Sequence, residues 1–329
     1  MKHTITIALK VLLPILLGSA ILWWMYRGED WEQIIHSMTH DMRWEWMLLS
    51  FPFGILAQTF RAWRWQMALE PVGEHPRTST TIYSIFLSYA VSLVIPRSGE
   101  FARCGVLKRY DNVNFSTAVG TVVTERAIDT ALMLCLTLLT LLLQVSTFMT
   151  FFEHTGTTVE SFLSRFSLTG YLVTAVCGIA VLILAYFVLR KLALYQRVKD
   201  TVQNIWDGIR SALHVRRPWL FLAYSVAIWL CYFLHYYLTF YCFDFTENLG
   251  VTCALVTFVV GTIAVIVPTP NGAGPWHFAV KTMLILYGVT DANALIFVLI
   301  VHTVQTLLVV GLGIYAWAAL ALQSRAIEN

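Results

Sequence analysis

Residues 250–289 read GVTCALVTFVVGTIAVIVPTPNGAGPWHFAVKTMLILYGV. An apolar run ends in Pro268-Thr269-Pro270-Asn271-Gly272-Ala273-Gly274-Pro275, and a second short apolar run follows. Neither run reaches the roughly 20 residues that an ordinary membrane-crossing helix needs. Proline and glycine break a helix and strand its backbone hydrogen-bonding groups. Such a break is tolerated at membrane depth only inside protein or beside a water-filled cavity. The stretch therefore predicts a re-entrant hairpin. A second copy of the pattern lies upstream, where the apolar block 80–95 ends in Ile95-Pro96-Arg97-Ser98-Gly99-Glu100 and a helical stretch over 100–110 follows. The plain alternative is two helix ends joined by polar connectors.

The rest of the chain supplies the membrane context. Of 329 residues, 58% are hydrophobic and 12% charged, against about a quarter charged in soluble domains. Mean hydropathy is +0.68. This excludes a soluble globular domain, a disordered chain and a fibrous repeat. The N-terminal run up to Tyr26 and the apolar blocks over roughly 45–60, 117–145, 169–189, 218–243 and 292–320 are candidate spans. The first carries Pro14, which predicts a kink, and reads as a retained helix rather than a cleaved signal. The expected fold is an all-α polytopic membrane protein with six spanning helices and two re-entrant hairpins; eight spanning helices is the alternative.

The blocks fall into two similar halves, approximately 45–145 and 218–320, within one domain covering 1–329. The step along the chain from Pro96 to Pro268 matches, to within one position, the step between the block starts at 45 and 218. Paired Pro/Gly-broken segments in corresponding positions point to a transporter's binding site. With the N-terminus inside and each hairpin returning to its own side, seventeen of the 22 Lys and Arg residues fall inside and four outside; Arg126 lies within a helix. That asymmetry obeys the positive-inside rule, puts both termini in the cytoplasm and makes the repeat inverted. Residues 194–213 carry apolar positions at helical spacing and predict an interfacial helix, with a shorter counterpart around Trp31, Ile34, Ile35 and Met38.

Most of the six cysteines lie in apolar segments and no C-x-x-C is present, so zinc and thiol-redox chemistry find no support. Cys242 and Cys253 flank one short loop and are the pair that could bridge. The basic residues sit in membrane-flanking loops, which argues against nucleic-acid binding. No phosphate-binding P-loop, zinc-protease HExxH or G-x-S-x-G elbow occurs, so no catalytic residue, metal or cofactor is expected.

The candidate site residues are the polar ones inside the apolar framework. Glu125 and Asp129 share a helix face at i, i+4, beside Arg126. They lie about 12–18 Å into their helix, near the middle of the hydrocarbon layer. A charge there costs at least about 2.5–3.5 kcal/mol, so it needs a partner or water. The two readings are a structural ion-pair cluster and a polar pathway or headgroup site. Arg97, Gly99, Glu100 and Arg103 mark the first hairpin, where arginine forks suit phosphate. Pro268, Pro270, Gly272, Gly274, Trp276 and His277 mark the second. His302 follows Asp129 by the same step that separates the block starts at 45 and 218, and is placed facing it across the repeat. Arg61 and Arg64 close the second span, as interfacial anchors or as phosphate contacts at its mouth.

The motifs P-R-S-G-E-F-A-R, T-E-R-A-I-D-T and P-T-P-N-G-A-G-P-W-H-F, with R-A-W-R-W near the end of the second span, resemble the lysylphosphatidylglycerol synthase transmembrane-region family over roughly 10–320. These are flippase-like domain proteins, similar to the membrane half of the bacterial multiple peptide resistance factor, which moves aminoacylated phosphatidylglycerol between leaflets. The resemblance implies Arg97, Gly99, Glu100, Arg103, Glu125, Arg126 and Asp129 as polar motif residues, with Pro268, Pro270, Gly272 and Gly274 in the second hairpin. It implies a translocator of phospholipid or a lipid-linked headgroup in the bacterial cytoplasmic membrane, with an anionic or aminoacylated lipid as partner. A chain without an aminoacyl-transferase region is not expected to make lysyl-lipid by itself. Two departures stand out: many relatives carry an acid where this chain has Trp276-His277, and Asn271 replaces a common glycine. An integral-membrane enzyme, or a non-catalytic partner of an envelope-biosynthesis enzyme, remains the competing class.

Overall fold

The computed structural model describes residues 15–28, 30–144, 203 and 215–328. The expected span at 169–189, the interfacial stretch 194–213 apart from residue 203, Cys177 and Pro14 lie outside the described residues. The described residues form an all-α membrane protein. Its helices are α1 (Ile15–Tyr26), α2 (Trp31–His36), α3 (Trp44–Leu69), α4 (Thr78–Val94), α5 (Gly99–Asp111), α6 (Phe115–Leu143), α7 (Pro218–Tyr237), α8 (Gly250–Ala264), α9 (Pro275–Leu286) and α10 (Asp291–Glu328). Three helical stretches, Phe115–Leu143, Pro218–Cys242 and Asp291–Gln323, are long and apolar enough to cross a membrane.

Both Pro/Gly stretches are hairpins. α4 packs on α5, and α8 packs on α9. The four arms have 17, 13, 15 and 12 residues, about 18–26 Å at the helical rise, short of a hydrocarbon layer of about 30 Å. Glycine permits the close approach within each hairpin. A Cβ on Gly99 would collide with the Ser88 carbonyl, and one on Gly261 would lie 2.8 Å from Trp276 Nε1.

The hairpins enter from opposite ends of the bundle. At one end Arg77 binds Asp111 (Nε–Oδ1 2.6 Å) and the Asn114 amide donates to Glu74, tying the base of the first hairpin together. At the other end Arg43 binds Asp244 and Glu247 at 2.8 and 2.6 Å, and Tyr287 donates to Gln144. The tips meet between these ends, where Arg97 Nη2 donates to the Ile266 carbonyl at 2.6 Å. Each tip carries one non-glycine residue with left-handed backbone, Arg97 (φ 64°) and Asn271 (φ 51°). Each directly follows a proline, Pro96 in the first tip and Pro270 in the second, which moves the correspondence two residues beyond the Pro96–Pro268 pairing expected from sequence.

The helix packing has the same correspondence. α3·α4 matches α7·α8, α5·α6 matches α9·α10, and α4·α10 matches α8·α6, while α3 packs directly on α7. The main apolar core lies under the second hairpin and includes Phe240, Phe243, Val280, Leu284 and Phe297. A smaller core under the first hairpin includes Trp65, Ile85, Leu107 and Ala118. Cys242 and Cys253, the two cysteines able to pair if their loop were extracytoplasmic, belong to the main core as free thiols.

Candidate functional site

The polar core of the molecule sits between α3, the first hairpin and α6. The sequence placed Arg61 and Arg64 at a span end, but α3 runs on to Leu69. This puts both arginines inside the helix, 4% and 0% exposed. They turn toward α6, whose Glu125 and Asp129 are also buried.

The contacts form one network. Asp129 takes Arg61 Nη1 and Arg64 Nη1, each at 2.7 Å, and Arg126 Nη2 at 2.9 Å. Glu125 takes Arg64 Nε at 3.2 Å and Arg103 Nη1 at 2.8 Å. Glu100 takes Arg103 Nη2 at 2.6 Å and Arg126 Nε at 3.4 Å. Trp65 lies under the Arg103 guanidinium, 4.4 Å from ring centre, and donates its indole N–H to Thr121. Arg64 Nη1 also donates to Ser225 on α7 at 3.3 Å.

Four guanidiniums meet three carboxylates, so the cluster carries one positive charge in excess (4 − 3). Three buried donors, Arg61 Nε, Arg64 Nη2 and Arg103 Nε, have neither a hydrogen bond nor an ion-pair contact among the described residues. A buried donor left unmade costs about 1–3 kcal/mol, more when charged. Beside the cluster is a cavity of about 70 Å³, lined by Arg61, Ser88, Tyr89, Gly99, Arg103 and Arg126 among others. Glu100 is the one carboxylate of this lining, against Arg61, Arg103 and Arg126, so a phosphate adds acceptors and negative charge where two guanidinium charges are in excess. The carboxylates are themselves held by guanidiniums, which leaves Glu125 and Asp129 serving the arginines rather than free to move a proton.

Other candidates fall elsewhere. Arg97 is exposed at the hairpin tip, apart from Arg103. His302 does not face Asp129. It lies against the second tip, with Nε2 donating to the Asn271 carbonyl at 3.1 Å and its ring 4.4 Å from that of His277. Asn271 Nδ2 donates to Thr306 at 2.7 Å, and the Trp276 ring packs 5.0 Å from that of His302. Pro268 and Pro270 shape the turn, while Gly272 (φ 72°) and Gly274 (φ 91°) take backbone that glycine adopts freely. Ser225, Tyr89 and Tyr232 were missed by sequence reasoning. The two tyrosine hydroxyls meet at 2.6 Å, and Arg61 lies over the Tyr232 ring. Nothing in their local sequence sets them apart from other polar residues in apolar helices.

An all-helical membrane protein with two opposed broken hairpins and a buried arginine–carboxylate cluster is thus defined. The chain belongs to the lysylphosphatidylglycerol synthase transmembrane-region family, whose model matches residues 11–313. The family places it among membrane proteins of lipid biosynthesis or transport. No curated protein and no solved structure gives a match.

Proposed function

We propose that the protein translocates a phosphate-bearing anionic lipid, a phospholipid or a lipid-linked headgroup, across the bacterial cytoplasmic membrane. The observation that carries this reading is the buried cluster, with one positive charge in excess and unmatched arginine donors beside a small cavity. A protein that needed only a filled core would avoid the cost of buried ions, since an apolar replacement is often equal or better. The halves 45–145 and 218–320 then act as inverted repeats of one domain, with the hairpin tips as the moving barrier between the two faces. The end bearing Arg77, Lys108, Arg109, Arg216 and Arg217 faces the cytoplasm, as do both termini. The opposite end bears Asp30, Glu32, Asp41, Glu45, Asp244, Glu247 and Asp291 and faces outward.

The test is reconstitution in liposomes with labelled phosphatidylglycerol and aminoacyl-phosphatidylglycerol. Arg126 is the variant of choice because its side chain is 41% exposed at the edge of the cluster, so Arg126→Gln removes the excess charge with little damage to the core. Protein-dependent movement is expected to slow about tenfold or more in Arg126→Gln, equivalent to about 1.4 kcal/mol, and to recover in part in Arg126→Lys. No movement of either lipid, or a wild-type rate in Arg126→Gln, overturns the reading.

A further inference from the structure

The step from Arg97 to Asn271, the two left-handed tip residues, is also the step from Arg103 to His277. Likewise, the step from the first residue of α6 to the first residue of α10 is the step from Arg126 to His302. The first half therefore puts permanently charged arginines where the second half puts two histidines. Arginine does not lose its proton in proteins; imidazole exchanges one between pH 5 and 8 in ordinary surroundings.

We infer that His277 and His302 form a single-proton binding site whose occupancy frees the tip of the second hairpin from α10. Its role in driving transport rests on the translocator reading above. His302 Nε2–H donates to the Asn271 carbonyl, which fixes the tautomer. His277 Nδ1 accepts from the Gly274 amide at 3.4 Å, so its proton is on Nε2. In this arrangement His277 is neutral because its Nδ1 accepts, and the hydrogen bonds the two rings make hold the tip. His277 is 2% exposed, while His302 is partly buried and Asn271 exposed, so a proton reaches the pair from the Asn271 side.

Among the described residues nothing around the pair stabilises a cation while the tip is held. No carboxylate pairs with either ring among the described residues. α1 contributes Tyr26, whose ring lies 6.3 Å from His277, and α9 contributes Lys281, which is engaged with Asp291 at 2.9 Å. The opposing tip contributes Arg97, and α8 has no charged residue. Two rings 4.4 Å apart hold at most one proton between them. A proton on His277 Nδ1 displaces the Gly274 amide, and a cationic pair in this apolar surround draws water in. Either event loosens 270–274 from α10. Protonation thus favours the released tip.

Hydrogen exchange of residues 266–276 in the full-length protein, in lipid nanodiscs at pD 5.5 and 7.5 and corrected for intrinsic rates, tests the site without any transport. The tip amides of Gly272 and Ala273 are hydrogen-bonded at 3.2 and 2.9 Å and report its opening. Protection is expected to fall about tenfold at the lower pD in wild type, and to be pD-independent in His277→Gln/His302→Gln. Glutamine keeps a donor for the Asn271 carbonyl but does not titrate. Unchanged protection in wild type, or wild-type pD dependence in the variant, overturns the inference. In liposomes a pH gradient should speed lipid movement by wild type and not by the variant. Movement that ignores the gradient in wild type removes the coupling role, whereas no movement in any condition refutes the translocator reading and leaves the exchange result to decide the proton site.

Discussion

Glu125→Gln is the sharpest probe of the cluster. Glu125 is fully buried and accepts from Arg64 at 3.2 Å and from Arg103 at 2.8 Å. Glutamine has nearly the same shape but carries no charge and offers one acceptor oxygen instead of two. The cluster passes from four positive and three negative groups to four and two, so its excess rises from one to two. Breaking a buried ion pair by removing one partner costs about 3–5 kcal/mol, because the other charge is left uncompensated. One hydrogen bond survives in the variant, which places the expected loss near the lower end of that range. Denaturant unfolding of the purified protein in mixed micelles, followed by tryptophan fluorescence, reads that loss directly. Adding Arg103→Gln restores the excess to one and should recover about 1–2 kcal/mol, within the usual range of coupling between contacting residues. The same Glu125→Gln substitution should tighten binding of an anionic lipid analogue while it weakens the fold, since the added positive character favours the anion. A loss below about 1 kcal/mol, the scale of an ordinary neutral hydrogen bond, would show that water, not Glu125, balances Arg64 and Arg103. It would refute the account in which Glu125 neutralises these two arginines.

Four further outcomes follow from the geometry. Gly99→Ala should destabilise by about 1–3 kcal/mol or more, because the Ser88 carbonyl blocks the added methyl and the hairpin arms must part; the same unfolding assay reads it. Asn271→Val should cost about 1–2 kcal/mol for a side chain forced to positive φ, while Asn271→Gly, which loses only the side-chain contacts, stays within about 1 kcal/mol of wild type. Arg43→Ala should change stability little, and less still at high salt, because its side chain and that of Asp244 are 34% and 91% exposed. A water-soluble maleimide should leave Cys135, exposed only on the membrane-crossing helix α6, as unmodified as buried Cys104, Cys242 and Cys253, as peptide mass spectrometry would show.

The helical framework was legible because long apolar runs carry their own signal. Expected blocks at 117–145 and 218–243 correspond to helical stretches at Phe115–Leu143 and Pro218–Cys242. The hairpins were legible because proline and glycine act locally: they break a helix wherever they cluster. The site was legible only in outline. Glu125 and Asp129 stood out as charges in an apolar helix, whereas Arg61 and Arg64 looked like interfacial anchors because the apolar block thins out near residue 60. The helix continues past that point because Ala62, Trp65, Ala68 and Leu69 pack into the core under the first hairpin. That is a tertiary fact, invisible to hydropathy.

The spacing of the apolar blocks linked His302 to Asp129, yet counting from the starts of α6 and α10 pairs it with Arg126, while the tip residues Arg97 and Asn271 pair Arg103 with His277 by a step two residues shorter. Composition and local breaking therefore determined the all-helical membrane class, the broken segments and the identity of the buried acids. Only the tertiary structure decided which arginines neutralise them, that the two tips touch, and that the histidines hold the second tip. The reason is physical. Desolvation and chain-breaking depend on a residue and its near neighbours. An ion pair or a tip contact depends on groups distant along the chain, such as Arg103 with Glu125 and Arg97 with Ile266, brought within about 3 Å by packing.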